Sequence, residues 1–190
     1  MQQASQKVKV QRNICYYFNM KKIVIIGPES TGKSSLAQSL AAHFNGQWVR
    51  EFARDYLTEH GTDYTFEDLL TIAQGQLALE DAARLLHSPY LFLDTDMHVM
   101  HVWSTFVFGK EHELIERERA TRQYDMYLLA CPDLPWTRDH LREYPDQETR
   151  EKLYRIYKTI LEQQKTPWAE VRGVGDARVQ CAINAIEQLL

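Results

Sequence analysis

The sequence predicts an α/β fold with a mainly parallel sheet and helices on both faces. Apolar runs of strand length alternate along the chain with longer segments of helical periodicity, which is typical of β-α-β units. One such run, 23–26, leads directly into the glycine-rich stretch 27–35, and a helical pattern follows it. The 190 residues are enough for one well-buried domain and few for two, so we expect a single sheet.

The predicted elements follow from apolar periodicity and from the residues that end helices. Asn45 and Gly46 close the first helix, and Gly61 closes the second. Thr65 and Asp68 have the spacing of a capping box, with Asp in place of the usual Glu, at the start of a long third helix. The predicted strands span residues 21–26, 47–50, 90–93, 124–130 and 169–174. The predicted helices span residues 33–44, 51–60, 65–86, 97–108, 111–122, 147–164 and 176–190.

The stretch 27–35, G-P-E-S-T-G-K-S-S, has the pattern of a Walker A phosphate-binding loop. Gly27 and Gly32 allow the backbone to curl so that its N–H groups point at an anion, and the following helix adds its positive dipole end. Lys33 can reach β- and γ-phosphate oxygens, and the Ser34 hydroxyl can ligate Mg²⁺. The alternative is a chance match, but the preceding strand and following helix are the context that the motif requires. The loop residues expected to bind nucleotide are Gly27, Glu29, Ser30, Thr31, Gly32, Lys33, Ser34 and Ser35.

Two acids follow the third predicted strand. Asp94 ends an apolar run in the Walker B arrangement, where a carboxylate holds Mg²⁺ directly or through water; the alternative is an acid that merely starts a turn. Asp96 could bind a sugar hydroxyl, act as a base or cap the next helix. His98 and His101 lie close by in the sequence and could suggest a metal cluster, but their spacing also fits one face of an ordinary helix, which we favour.

A second polar pair follows the second predicted strand. Glu51 and Arg54 are one helical turn apart, which places them on one face of the helix. Glu51 could accept a proton from a substrate hydroxyl, and Arg54 could hold a phosphate or Glu51 itself. The alternative is a solvent-exposed pair that contributes a few tenths of a kcal/mol.

A long polar segment at about 131–146 is predicted to be a lid. It contains three prolines, and loops of this length inside a compact domain are usually functional. Arg138 and Arg142 are about one helical turn apart, and one of them could close over a transferring phosphoryl group. Trp136 could stack on a base or ring, or simply anchor the lid.

The order of the strands follows from right-handed crossovers and from the two phosphate-site strands being neighbours. These rules predict a five-stranded parallel sheet in the order 2-3-1-4-5, the three-layer fold of P-loop NTPases. Ligands of such sheets bind beyond the carboxyl ends of the strands. The rule therefore gathers the loop 27–35, Glu51, Asp94, Asp96 and the lid around one cleft.

Composition excludes several classes of protein. The net charge of −4 argues against a broad nucleic-acid-binding face, and no apolar run approaches the length of a membrane span. The three cysteines are far apart and form no C-x-x-C pair, so neither a disulfide framework nor a zinc site is indicated and a reducing cytoplasm fits. The expected partners are small molecules, without nucleic acid or membrane; the oligomeric state is left open.

The first nineteen residues differ from the rest of the chain. Residues 1–19 are polar and slightly basic, without the apolar core of a signal peptide. We expect them to be an extension, disordered or not native, that precedes a single domain at 20–190. The alternative is an extra edge strand at 14–18.

Taken together, the motifs resemble the nicotinamide riboside kinase domain of NadR-type NAD-salvage proteins. The resemblance covers about 21–190 and rests on Gln76 and on the strings G-P-E-S-T-G-K-S-S, E-F-A-R-D-Y, L-F-L-D-T-D and Y-D-M-Y-L-L with P-D-L-P-W-x-x-D-x-x-R. It implies a P-loop kinase that uses ATP and Mg²⁺ and transfers the γ-phosphoryl group to the 5′-hydroxyl of nicotinamide riboside.

Site roles follow from the resemblance and from position. The expected catalytic residues are Lys33, Glu51, Asp94 and Arg142, with Ser34 and Asp94 at the metal. The expected substrate ligands are Glu51, Arg54, Gln76, Asp96, Trp136 and Asp139. Arg138 on the lid and Arg178 beside the last strand are expected to contact the nucleotide.

Two positions depart from the family pattern. His140 replaces the glycine of the usual D-G-x-R string in the lid. Arg50 stands where bifunctional members can carry an aromatic residue suited to stacking on the nicotinamide ring, and a cation is a poor neighbour for that positively charged ring. Two alternatives therefore stay open: a P-loop kinase for another nucleoside or small alcohol, and a nucleotide-binding regulator. A guanine-specific switch would be expected to carry N-K-x-D, which does not occur here.

Overall fold

The structure is a computed structural model that describes residues 20–190. The predicted extension at 1–19 and the alternative strand at 14–18 lie outside the described residues. Five strands are present in 20–190: β1 (Lys21–Ile26), β2 (Gln47–Val49), β3 (Tyr90–Asp94), β4 (Met126–Ala130) and β5 (Trp168–Val171). The helices of this range are α1 (Lys33–His43), α2 (Phe52–His60), α3 (Phe66–Ala83), α4 (Met97–Phe108), α5 (Glu113–Thr121), α6 (Gln147–Glu162) and α7 (Asp176–Leu189).

All neighbouring strands run parallel, in the order β2-β3-β1-β4-β5, as the sequence predicts. In the register of the central pair, Ile25 lies opposite Asp94. The acid at the end of β3 therefore lies beside the strand that leads into the glycine-rich loop. This neighbourhood is what a phosphate and metal site at the carboxyl edge of the sheet requires.

Alternate residues of the central strand supply the two cores of the molecule. Ile23 and Ile25 face α1 and α7, whereas Val24 and Ile26 face the layer formed by α3, α4 and α6. All four side chains are fully buried, so each contributes about 1.5–3 kcal/mol of apolar burial. The near-continuous apolar run of β1 is thus explained by a strand covered on both faces.

A third cluster joins α2, α3, α4 and α5 beside the sheet and fixes the start of α2. Gly75 of α3 lies against Phe52 of α2 so closely that a Cβ at residue 75 would stand 2.3 Å from the Phe52 ring. The predicted capping box of Thr65 and Asp68 is confirmed at the start of α3. Close packing of α2 on α3 holds the residues at the end of β2 in place.

Several predicted boundaries are too wide. The last strand ends at Val171 rather than 174, because Gly173 has a φ of 97° and turns the chain away from the sheet. The third helix ends at Ala83, and Leu85 beyond it is 80% exposed with no core to pack against. The fourth strand begins at Met126, since the Asp125 carboxylate accepts a hydrogen bond from the Lys22 backbone N–H at 2.8 Å just before it. Among residues 20–190, no helix is both long enough and apolar enough to cross a membrane.

Candidate active site

A cavity of about 490 Å³ opens at the carboxyl ends of the strands. It is lined by the glycine-rich loop, by the start of α2, by the end of β3 and by the segment after β4. All eight loop residues predicted to bind nucleotide line it, together with Glu51, Arg54, Asp94, Asp139 and Arg142. The structure therefore brings most of the predicted site residues into one place.

The loop has the backbone geometry of an anion cradle. Gly27 has a φ of 143°, and a Cβ there would stand 2.6 Å from the Ala130 carbonyl oxygen, so only glycine fits. Gly32 has a φ of 76° and precedes the first residue of α1, so the free N–H groups of that helix point towards the cavity. Lys33 Nζ donates a hydrogen bond to the Pro28 carbonyl at 3.0 Å, which holds the ammonium group over the loop.

Two carboxyl groups lie at the cavity beyond neighbouring strands. Burial raises the pKa of Asp94, and the charge of Lys33 opposes this rise. Burial also raises the pKa of Glu51, the charge of Asp94 adds to the effect, and Lys33 opposes it. The charges of Asp94 and Lys33 therefore act in opposite directions on the pKa of Glu51.

The Asp94 carboxylate fits a magnesium ion. Asp94 is 1% exposed, and neither of its oxygens has a hydrogen-bond partner among residues 20–190. An ionised carboxylate buried in this way costs several kcal/mol unless a cation compensates it. Oxygen is the ligand that Mg²⁺ prefers, and Ser34 offers a hydroxyl at the same cavity.

The histidine alternative has no support in the described part of the chain. No group of three or more His, Cys, Asp or Glu side chains in 20–190 could hold a metal ion. His98 instead pairs with Asp96 at 2.9 Å, and His101 pairs with Glu111 at 2.7 Å. The two histidines belong to separate polar contacts of α4.

The segment after β4 contacts both the loop and α2. Arg142 Nη1 donates to the Thr137 hydroxyl at 2.7 Å and to the Ser30 hydroxyl at 3.3 Å. Asp139 forms an ion pair with Arg54 at 2.9 Å. The sequence predicted a phosphate or Glu51 as the partner of Arg54, whereas the structure pairs Arg54 with Asp139 of this segment. The segment therefore contacts both the phosphate loop and α2.

Two predicted substrate ligands are engaged away from the cavity. Asp96 is buried and caps α4, because its carboxylate accepts a hydrogen bond from the His98 N–H at 2.9 Å. The helix-cap interpretation is therefore confirmed. The same carboxylate also accepts a hydrogen bond from the Tyr127 hydroxyl. Gln76 accepts from the Phe52 N–H at 2.8 Å and donates to the Arg50 carbonyl at 3.3 Å. Gln76 thus holds the backbone on both sides of Glu51 and does not line the cavity.

Arg178, Trp136 and Arg138 also lie outside the cavity lining. Arg178 is 4% exposed, pairs with Asp133 at 2.6 Å and donates to the Cys131 carbonyl at 2.9 Å, so it joins α7 to the segment after β4. The Trp136 Nε1 donates to Glu29 at 3.1 Å, which agrees with the anchoring alternative. Arg138 is exposed.

Sequence reasoning missed Arg150. This arginine of α6 is 2% exposed and donates to the Ser30 carbonyl at 3.3 Å and to the Leu134 carbonyl at 3.0 Å. It therefore joins the phosphate loop to the segment after β4. The available signal was its spacing from Leu153 and Tyr157, since an arginine on the buried stripe of an amphipathic helix needs a polar partner.

Two curated bacterial proteins are similar to this chain in sequence. The trifunctional NAD biosynthesis/regulator protein NadR of Escherichia coli (strain K12) is 28% identical over 178 residues, which cover 91% of this chain and 43% of that protein. The NadR protein of Salmonella typhimurium (strain LT2) is 25% identical over the same length. The chain spans less than half the length of these curated relatives.

Solved structures share the fold. A crystal structure of NadR protein in complex with NR has a TM-score of 0.76 at 21% identity, over 90% of this chain and 49% of that chain. Deoxyadenosine kinase from M. mycoides has a TM-score of 0.62 at 12% identity, over 88% of this chain and 99% of that chain. The model of the AAA_28 family, described as an AAA domain, matches residues 22–178. The chain, with its five parallel strands and glycine-rich phosphate loop, therefore belongs to the AAA_28 family of AAA domains.

Proposed function

We propose that the protein is an ATP-dependent kinase that phosphorylates the 5′-hydroxyl of nicotinamide riboside to give nicotinamide mononucleotide. One observation carries the proposal: the phosphate loop, two carboxyl groups and a lid arginine line a single cavity at the carboxyl edge of the sheet. Phosphoryl transfer needs these parts, because its catalysis consists mainly of positioning and of charge stabilisation. Similarity to NadR supports this choice of acceptor.

We assign the nucleotide to the loop side of the cavity. Lys33 and the N–H groups at the start of α1 would bind the phosphates of ATP. Ser34 and Asp94 would hold Mg²⁺, which neutralises charge on the phosphates when it is bound. The Asp94 oxygens without hydrogen-bond partners support this role.

We assign the acceptor to the side of the cavity nearer α2 and α4. Glu51 reaches the cavity from beyond β2, with the carboxylate of Asp94 occupying the metal side. Glu51 would orient the attacking hydroxyl and accept its proton, which its raised pKa favours. Trp103 and Phe106 of α4 give this side an apolar aromatic wall suited to a ring.

We treat residues 131–146 as a lid and residues 20–190 as the kinase domain. The contacts of Arg142 with the loop and of Asp139 with α2 support a segment that covers the cavity. Arg142 would then meet charge that develops on the transferred phosphoryl group.

A second candidate keeps the reaction and changes the acceptor. Arg50 lines the cavity, and its guanidinium pairs with Asp55 at 2.6 Å. This pair replaces an aromatic stacking partner with neighbouring positive and negative charges, which suits a neutral nucleoside at least as well as a cationic ring. Among the alternatives to nicotinamide riboside, another nucleoside is therefore the acceptor that these contacts support best.

One panel assay tests both candidates. ATP and Mg²⁺ are supplied with nicotinamide riboside, the common nucleosides or shikimate, and ADP and the phosphorylated product are measured. We expect rapid nicotinamide mononucleotide formation that Lys33→Ala abolishes without loss of the folded state. Preferential phosphorylation of a different nucleoside would replace the acceptor, and ATP hydrolysis without any phosphorylated acceptor would overturn the kinase assignment.

A further inference from the structure

Glu29 of the phosphate loop lines the cavity and also contacts the lid. Its carboxylate accepts hydrogen bonds from Trp136 Nε1 at 3.1 Å and from the backbone N–H of Tyr144 at 2.7 Å. It also accepts from the backbone N–H of Glu143 at 3.0 Å. One side chain therefore binds both the beginning and the end of the lid.

The three hydrogen bonds that Glu29 accepts are stronger than ordinary ones. A hydrogen bond to a carboxylate is about twice as strong as one between two neutral groups. No Lys or Arg of residues 20–190 lies within salt-bridge distance of Glu29, so the lid N–H groups are its direct partners. The carboxylate is thus committed to the lid in this conformation.

Arg142 lies between the two points that Glu29 holds. Trp136 precedes it and Glu143 follows it directly, and its guanidinium reaches the Ser30 hydroxyl next to Glu29. With both flanks fixed, the Arg142 guanidinium stays beside Thr137 of the lid and Ser30 of the phosphate loop. A lid freed at Glu29 would leave this guanidinium with many more orientations.

Two further contacts join the lid to the phosphate loop. Arg150 donates to carbonyl oxygens of both Ser30 and Leu134, so it ties loop to lid from α6. A Cβ at Gly32 would stand 3.2 Å from Leu134 Cδ1, which shows that the lid also packs on the loop. Glu29 in addition holds Glu143 and Tyr144, which directly follow Arg142.

We propose that Glu29 is a positioning residue that fixes the closed lid and thereby aligns Arg142 for phosphoryl transfer. The proposal rests on the kinase function proposed above. It differs from the expectation from sequence, in which Glu29 binds the nucleotide. A nucleotide ligand would affect the Michaelis constant for ATP, whereas a residue that aligns a transition-state contact affects kcat.

Glu29→Gln tests the proposal because the amide has nearly the same shape but loses the negative charge and one of the two acceptor oxygens. Trp136 and Tyr144 donate to one carboxylate oxygen and Glu143 donates to the other, so the NH₂ group must face at least one lid N–H. Limited trypsin digestion at the exposed Arg138, followed by mass spectrometry, reports lid release without any assumption about the reaction. We expect cleavage at residue 138 to accelerate about tenfold at an unchanged melting temperature. Glu148→Gln, an exposed carboxylate of the first turn of α6, is the matched control and should leave the cleavage rate unchanged.

Kinetics of the same variants test the link to Arg142. We expect Glu29→Gln to lower kcat at least tenfold with little change in the Michaelis constant for ATP. If Glu29 acts through Arg142, then Glu29→Gln adds little further loss to Arg142→Ala. A raised Michaelis constant with unchanged kcat, or fully additive losses, would overturn the proposal.

The digestion and kinetic experiments also distinguish a failure of this inference from a failure of the proposed function. If the wild type phosphorylates no acceptor, the kinase proposal fails, and the digestion result still decides whether Glu29 holds the lid. If cleavage at Arg138 in Glu29→Gln equals that in wild type, the positioning role fails while the kinase assignment stands.

Discussion

Glu51 and Asp94 are carboxyl groups at one cavity, but their surroundings predict different roles. Asp94 is buried beside the phosphate loop with oxygens that no described group satisfies. A carboxylate bound to a metal is a poor base, so we propose Asp94 as the Mg²⁺ ligand rather than as the base. Glu51 lies one strand farther from the loop, and we propose that it orients the hydroxyl that attacks the phosphoryl group.

We expect Glu51→Gln to keep ATP·Mg²⁺ binding and to lose about 10²–10⁴-fold in phosphoryl transfer, the range for a positioned acid–base group. Asp94→Asn should instead raise the Mg²⁺ concentration needed for half-maximal rate. A Mg²⁺ titration of both variants with the preferred acceptor makes the comparison. A shifted Mg²⁺ response in Glu51→Gln with a normal one in Asp94→Asn would exchange the two roles.

The raised pKa of Glu51 also predicts how stability depends on pH. A carboxyl group with a higher pKa in the folded chain binds more protons there than in the unfolded chain. Its contribution is therefore complete below the ordinary glutamate pKa of about 4.3 and is lost as pH rises through the raised value. We expect Glu51→Gln to melt above wild type near neutral pH and the difference to shrink towards about pH 4. Thermal melts across this pH range would contradict the assignment if the difference between the two proteins stayed constant.

Residue patterns predicted some side chains well and others poorly, for a physical reason. The capping box at Thr65 and the glycine-rich loop are local, so a few neighbouring residues decide their structure. Asp96 and Gln76 were expected at the substrate because they belong to strand ends or to the resemblance. The direction of a side chain depends on distant partners such as Tyr127, which the local pattern does not contain.

At the scale of the element, α2 carries the site because α3 holds it. The Phe52 ring occupies the space where residue 75 would carry a Cβ, and Gln76 bonds the backbone on both sides of Glu51. The long apolar stripe of α3 was predicted from sequence. Its role as the support of Glu51 was not, because it arises only when the two helices pack.

We expect Gly75→Ala to destabilise the protein by about 1–3 kcal/mol, because the new methyl group overlaps the Phe52 ring. In an unconstrained helix the same change would stabilise by about 0.5–1 kcal/mol, so the sign itself is informative. Denaturant unfolding measures it, with Gln74→Ala on the exposed face as control. In a Phe52→Leu background, where the ring is absent, the cost of Gly75→Ala should fall; an equal cost in both backgrounds would assign it elsewhere.

At the scale of the whole molecule, the order of the sheet followed from the sequence. Right-handed crossovers and the pairing of the two phosphate-site strands left one arrangement, which the structure has. Residues 131–146 could be predicted as a long connection between β4 and α6, but the contacts of this segment could not be predicted. Its anchors lie outside it: Glu29 is in the phosphate loop much earlier in the chain, and Arg150 is in α6, which follows the segment.

We also expect residues 20–190 to fold and to keep their activity without residues 1–19. The Lys21 N–H bonds the Pro89 carbonyl at 2.9 Å, and Met20 packs against a buried core, so the sheet is paired from its first described residues. A chain that begins at Met20 should melt within about 2 °C of the full chain and keep its turnover. A larger loss of stability in differential scanning calorimetry would give residues 1–19 a structural role.

The central position of β1 has a consequence for synthesis and folding. Lys21 pairs with Tyr90 and Ile23 with Met126, so the first strand of the sheet leaves the ribosome long before either of its partners exists. Its apolar residues therefore stay without their sheet partners until more than half of the chain has been synthesised. Such long-range parallel pairing places folding among the slower topologies, in the range of about milliseconds to seconds. Stopped-flow refolding would measure this slow phase. Until β1 has paired with its partners, its exposed apolar residues would make it one of the strands most prone to aggregation.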